Sequence, residues 1–244
     1  MTRQIEPDGT RGQLLSPRLA YDRIATQYQS WRWYRFWRLN EAPIVTDWLQ
    51  SLPRGYGLDA GSGTGPYLHF VSDLGHRCVA LDLSLQMLKL DRRDHRPGDV
   101  RSAVHYVQGD VTILPFAGEA FDWILCTRVL SHIPSLEDAV LELGRVLKPG
   151  GECLIADVHP DHPYDHVTIP CNGTPVPIET HKHSFDELRT WLGMSGLRLE
   201  SHKNYWLDDL AVRPPKAEFA KLYDHADQPI FYVCRLLKNE QRPS

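Results

Sequence analysis

The chain has 244 residues, 42% of them hydrophobic and 24% charged, and 27 Lys and Arg against 31 Asp and Glu give a formal net charge of -4. These proportions exclude a disordered, collagen-like or coiled-coil chain and suit one α/β domain with embellishments. The slightly acidic balance argues against a dedicated nucleic-acid binder, and no apolar run approaches the roughly 20 residues that cross a bilayer.

The start, through residue 17, is polar and reads as a tail without an apolar signal core. Five cysteines, Cys78, Cys126, Cys153, Cys171 and Cys234, include no CxxC pair. Reduced, buried thiols in a cytoplasmic protein are expected. Residues 16–50 follow a helical pattern rich in aromatics, with Tyr21, Tyr28, Trp31, Trp33, Tyr34, Phe36, Trp37 and Trp48. Residues 18–50 are therefore expected to form a helical cap, and 51–244 the main domain. Arg32, Arg35 and Arg38 recur every three residues and share a helix face. That face could roof a pocket or simply pack on the domain with its stems.

Strands and helices then alternate. Strands are expected over 56–60, 77–81, 104–108, 121–126 and 152–158. Helices are expected over 66–74, with Pro66 in the first turn, over 84–94 behind the N-cap Ser84, and over 135–147. In the last, Ser135 and Asp138 are spaced as a capping box and Pro149-Gly150-Gly151 is the stop. Such alternation predicts a parallel sheet with helices on both faces. Residues 160–183 are rich in Pro and His and read as a loop or strand insertion. Ser184 with Glu187 caps a helix that ends at Gly196, residues 214–225 could form another, and 197–205 and 230–237 suit an antiparallel closing pair.

In such sheets ligands bind at the carboxyl ends of the strands. The first strand ends in Leu58-Asp59-Ala60-Gly61-Ser62-Gly63-Thr64-Gly65, a turn whose glycines let a ligand approach the backbone. Asp82 follows the second strand, where a carboxylate can accept two hydrogen bonds from vicinal ribose hydroxyls. Gly109-Asp110-Val111 follows the third, where a carboxylate could take the exocyclic amine of adenine. Cys126-Thr127-Arg128 follows the fourth, leading to His132. Four consecutive strand ends thus point to a nucleoside-bearing cofactor.

LDAGSGTG, LDLS, GDV, FDWILCTRVLSHI and LKPGG, in this order, resemble the class I S-adenosylmethionine-dependent methyltransferases. The resemblance spans about residues 21–158 and is nearest to the small-molecule branch that includes the ubiquinone and menaquinone biosynthesis enzymes (methyltransferase type 11). It implies a Rossmann-like, seven-stranded, mostly parallel sheet with a closing antiparallel strand, helices on both faces and the N-terminal helical cap. It implies S-adenosyl-L-methionine as cofactor and S-adenosyl-L-homocysteine as product. By the same resemblance Gly61, Ser62 and Gly63 approach the amino-acid end, Asp59 holds its amino group, and Asp82 takes the ribose. Leu83 and Met87 contact the adenosine, Gly109, Asp110 and Val111 hold the adenine, Thr127 lines the methionine portion, and Tyr28 covers it from the cap. A nicotinamide-dinucleotide fold shares the first two features but has no counterpart of Asp110.

A hydroxyl acceptor for the methyl group needs a base, and histidine suits that role. The candidates, in order, are His159, His132 and His183. The run His159, His162, His166, His181, His183 matches no zinc spacing, so no metal is expected. A small-molecule acceptor, attacked through oxygen or carbon, is expected under a roof made by the cap and the 160–183 insertion. The other readings are a protein of this fold that binds the cofactor without methylating, cyclase-like or regulatory, and methylation of a macromolecule.

Overall fold

The computed structural model describes residues 14–94, 103–164 and 166–240. Residues 1–13 of the expected tail lie outside the described residues. Leu15 is already fixed, because it bridges the backbone of Ile178. Three helices follow where the sequence reads as one stretch: α1 (Pro17–Tyr28), α2 (Arg32–Asn40) and α3 (Ala42–Ser51). The first break comes at Trp31, whose backbone is extended. The second comes at Glu41, because Pro43 has no N–H to continue the ladder and is tolerated only in a new first turn.

The alternating unit runs β1 (Tyr56–Ala60), α4 (Leu68–Asp73), β2 (Arg77–Asp82), α5 (Leu85–Asp94), β3 (Val104–Gln108), β4 (Phe121–Thr127), α6 (Leu136–Val146) and β5 (Leu147–Val158). Helix α4 starts two residues after Pro66, which belongs to the glycine turn. Helix α6 stops before Leu147 rather than at the Pro-Gly-Gly run, because Leu147 already pairs with Phe121 as part of β5. Its N-cap is as expected, with Ser135 Oγ accepting from Asp138 N.

The last third contains β6 (Val167–Cys171), β7 (Thr174–Ile178), α7 (Phe185–Ser195), β8 (Leu197–Tyr205), α8 (Ala220–Asp224) and β9 (Phe231–Lys238). Ser184 caps α7 through Glu187 N, and Gly196 ends it in the left-handed conformation. The helix expected over 214–225 is only the five residues of α8. The 160–183 insertion holds a two-stranded hairpin, β6–β7, closed by Asn172 (φ 51°) and Gly173 (φ 77°). That is the Asn-Gly turn that hairpins favour.

The main sheet has seven strands in the order β3-β2-β1-β4-β5-β9-β8, and β9 runs against the other six. One face, with Leu58, Leu81, Ile124 and Ile155, packs on α6 and α7 through Val140, Leu143, Leu188 and Leu192. The other, with Ala80, Trp123, Leu154 and Phe231, packs on α2, α3 and α4 through Phe36, Trp48, Leu68 and Val71. Trp123 lies directly over Gly57, where a Cβ would fall 2.1 Å from the indole. Its edge meets Trp48 at 90°, and Trp48 Nε1 donates to Glu152. A smaller core joins α1 to α5 and the hairpin through Ile24, Tyr28, Met87, Ile169 and Ile178. Cap helix and insertion thus form one roof beside the carboxyl edge of the sheet.

Candidate functional site

The β1 chain end turns sharply through Gly61 (φ 82°) and Gly63 (φ 57°). The N–H groups of Gly61 and Ser62 both donate to Leu81 O, at 2.7 and 2.9 Å, which ties the turn to β2. A Cβ on Gly61 would sit 2.1 Å from Val129 Cγ2. Gly61→Ala combines that overlap with a left-handed backbone, and thermal unfolding is expected to show a loss of about 1–3 kcal/mol. An unchanged melting temperature would contradict it.

Asp82 ends β2 and is held on both oxygens. Oδ2 accepts from Gly63 N and Oδ1 from Ser84 N, each at 2.8 Å. Burial nevertheless pushes its pKa up to about 6. Ser84 Oγ accepts from Met87 N at the start of α5 and donates to Asp22 Oδ1 of α1 at 2.6 Å. Asp110 follows β3 after Gly109, and its Oδ1 accepts from both the N–H and the hydroxyl of Thr112. The turns after β1, β2, β3 and β4 converge on one cavity of about 750 Å³, counted to its open mouth.

That cavity is lined by Tyr28, Gly61, Ser62, Gly63, Asp82, Leu83, Met87, Gly109, Asp110, Val111 and Thr127. These are the expected cofactor residues with one exception. Asp59 is buried within β1 beneath the turn and does not line the cavity. Further lining residues include Pro17, Tyr21, Thr64, Arg128 and His132. Ser62 Oγ and Thr64 Oγ1 are buried without a hydrogen-bond partner, so two hydroxyls border the cavity with capacity to spare.

A second cavity, also about 750 Å³, lies under the cap and the insertion. Its walls are mainly aromatic, with Trp31, Trp33 and Trp37 from the cap and His162, Tyr164 and His166 from the insertion. Tyr21, Tyr28, Arg128 and His132 line both cavities, so the two meet there.

At this junction Tyr21 Oη lies 2.8 Å from His132 Nε2, and His132 Nδ1 lies 3.1 Å from Glu179 O. The carbonyl can only accept, so Nδ1 carries the proton and Nε2 receives the bond from the phenol. Burial lowers the His132 pKa and raises that of Tyr21, so both are neutral near pH 7. Arg128 adopts φ 56°, with its N–H on Ala156 O at 2.7 Å. Its guanidinium pairs with the fully buried Glu41, which also accepts from Tyr67 Oη, and lies over the Trp37 ring.

The other two histidine candidates are placed elsewhere. His159, ranked first, lines neither cavity. Its ring packs against Phe185 and Tyr232, and its Nδ1 accepts from Asp161 N. His183 is bound to Ile133 O at 2.8 Å and borders only a small crevice behind the site. The cap arginines do not enter the second cavity as a group, since Arg32 lies over Phe219 and Arg38 over Phe70. Among the described residues, no three His, Cys, Asp or Glu side chains are grouped to hold a metal ion. No helix there is long and apolar enough to cross a membrane.

Sequence reasoning named Arg128 only at its strand end, weighed His162 only as a metal ligand, and passed over Tyr164. The hairpin that carries the insertion had a signal in Asn172-Gly173. The positive φ of Arg128 had none.

Residues 58–155 match the methyltransferase domain family. A demethylmenaquinone methyltransferase of Renibacterium salmoninarum is 35% identical over 138 residues, 56% of this chain and 52% of that one, so the chain spans about half the length of this relative. A second demethylmenaquinone methyltransferase, of Paenarthrobacter aurescens, is 30% identical over 197 residues, 76% of this chain and 70% of that one. In three dimensions the chain resembles a structure of the Haloferax volcanii Trm112 methyltransferase activator in complex with a methyltransferase, with TM-score 0.73, 19% identity and coverage of 94% and 100%.

Proposed function

The chain belongs to the class I S-adenosylmethionine-dependent methyltransferases, and on that premise we propose that it transfers the cofactor's methyl group to oxygen or carbon of a small-molecule acceptor in the second cavity. The observation that carries this reading is the meeting of two cavities at Tyr21, Tyr28, Arg128 and His132. A transfer needs two pockets with one shared wall, and a binding-only protein does not.

The residues of the first cavity suit the cofactor. Asp82 would accept from the ribose hydroxyls, Asp110 with Val111 would hold the adenine, and Leu83 and Met87 would pack on the adenosine. The unpartnered hydroxyls of Ser62 and Thr64, beside the Gly61–Gly63 turn, match the polar amino-acid end. When bound, the cofactor supplies a methyl group already activated on a sulfonium. The protein's part is then to hold the acceptor about 3–3.5 Å away, in line and away from water. The aromatic walls exclude water, and His132 Nε2 takes the acceptor's proton, directly or through Tyr21 Oη.

The aromatic walls of the second cavity and the acidic balance of the chain favour a small molecule over nucleic acid. The five cysteines are free and buried, which suits a reducing compartment, so we place the protein in the cytoplasm.

The direct test incubates the protein with methyl-labelled cofactor and fractionated small metabolites. Label in a metabolite fraction is the expected result; binding with no transfer would favour the non-methylating reading. His132→Gln keeps a polar side chain but loses the base, and turnover is expected to fall about 10²–10⁴-fold with cofactor affinity unchanged. A fall of less than threefold would remove His132 from that role.

A further inference from the structure

Among the acceptor-side walls, His162 stands in an unusual position. Both of its ring nitrogens are buried and neither has a hydrogen-bond partner, although the ring lines the second cavity. Buried polar atoms are nearly always bonded, so two such atoms on one ring of the cavity wall call for a partner. The ring is presented by a fixed backbone. His162 N donates to His159 O at 3.0 Å, while its carbonyl accepts from Tyr164 N at 2.8 Å and from Lys182 Nζ at 2.7 Å.

The chemistry of this position is narrow. Burial first, and then the nearby Lys182 charge, push the His162 pKa down to about 4, so the ring is neutral near pH 7. A neutral imidazole offers one N–H donor and one lone pair. The described lining residues include no carboxylate and one cation, Arg128, which Glu41 already neutralises. Trp31, Trp33 and Trp37 supply flat apolar walls. His162 lines the second cavity alone, away from the junction with the first.

We propose that His162 is a specificity-determining residue, hydrogen-bonding an oxygen substituent on a planar, uncharged ring lodged among Trp31, Trp33 and Trp37. The bonded oxygen is a second functional group, distinct from the atom that receives the methyl. This rests on the reading of the second cavity as the acceptor's place.

The test uses full-length protein saturated with S-adenosylhomocysteine and a matched pair of probes, 2-naphthol and naphthalene, titrated by ligand-observed NMR. The wild-type protein is expected to prefer 2-naphthol by about tenfold, the size of one or two net hydrogen bonds. His162→Phe keeps an aromatic ring and should abolish the preference, while His162→Asn, which still donates and accepts, should restore part of it. S-adenosylhomocysteine affinity should be equal in all three proteins. The proposal is overturned by a wild-type protein that binds neither arene or does not discriminate between them, by a preference that survives His162→Phe, or by a variant that loses the nucleoside ligand as well. Failure of the parent reading has a different signature, since the wild-type protein would then bind S-adenosylhomocysteine yet pass no label from the methyl-labelled cofactor to any metabolite fraction.

Discussion

Arg128→Ala is expected to destabilise the protein by about 3–5 kcal/mol, the usual result of stripping the partner from a buried charge. Glu41 sits between α2 and α3 with no solvent exposure, and its compensation comes from the Arg128 guanidinium and the Tyr67 hydroxyl. With the cation gone, the carboxylate must stay charged in an apolar setting or take up a proton. The loss should appear in urea unfolding as a lower midpoint with an unchanged slope.

Two further variants separate charge from backbone in this result. Arg128→Gly also removes the cation but relaxes the left-handed φ of 56°, so it should be about 1 kcal/mol less damaging than Arg128→Ala. The double variant Glu41→Gln with Arg128→Met removes both charges and keeps most of the volume, so it should recover much of the lost stability. A cost below about 1 kcal/mol for Arg128→Ala would show that the pair contributes little and that water reaches Glu41.

The strand ends were legible because apolar runs stop abruptly there at Asp82, Asp110 and Thr127, and a parallel sheet brings its strand ends to one edge. The closing pair was legible because two strand-like stretches flank residues 214–225 at the end of the chain. The choice among histidines was not legible, for a physical reason. Strand β5 is buried on both faces, Cys153 and Ile155 toward α6 and α7, Leu154 and Ala156 toward the cap side. An alternation that is apolar at every position does not announce its faces. Carried forward by twos, it sends Val158 to the second cavity and His159 to the opposite side, against Phe185. Asp59 lies off the cavity lining for the same reason, two residues before Gly61 in a strand buried from Gly57 onward. The fixing of Tyr21 on His132 joins residues 111 apart in sequence, and no local pattern carries it.

Asp82→Ala should weaken cofactor binding by tenfold or more, on the order of what charge-assisted hydrogen bonds contribute. The carboxylate does two jobs at once. It fixes the Gly63 and Ser84 N–H groups, and it offers its remaining lone pairs to the ribose. Asp82→Asn separates them, because the amide can keep one backbone bond but meets the other N–H and the hydroxyls with a donor. Its affinity should fall between those of the wild-type and Asp82→Ala proteins.

The raised pKa adds a pH dependence with a defined sign. Burial lifts the Asp82 pKa to about 6, so the free site is ionised above that value and takes up a proton below it. Ribose hydroxyls donate to the anion and favour it, so the pKa must fall when the nucleoside binds. Affinity should therefore be level above about pH 7 and decline by up to about tenfold per unit below pH 6. Near pH 6 binding should release a fraction of a proton, seen as a calorimetric heat that differs between buffers of different ionisation enthalpy. In Asp82→Asn both effects should vanish. Affinity that stays flat from pH 7 to pH 5 in the wild-type protein would mean that the ribose is held elsewhere, and would withdraw Asp82 from the site.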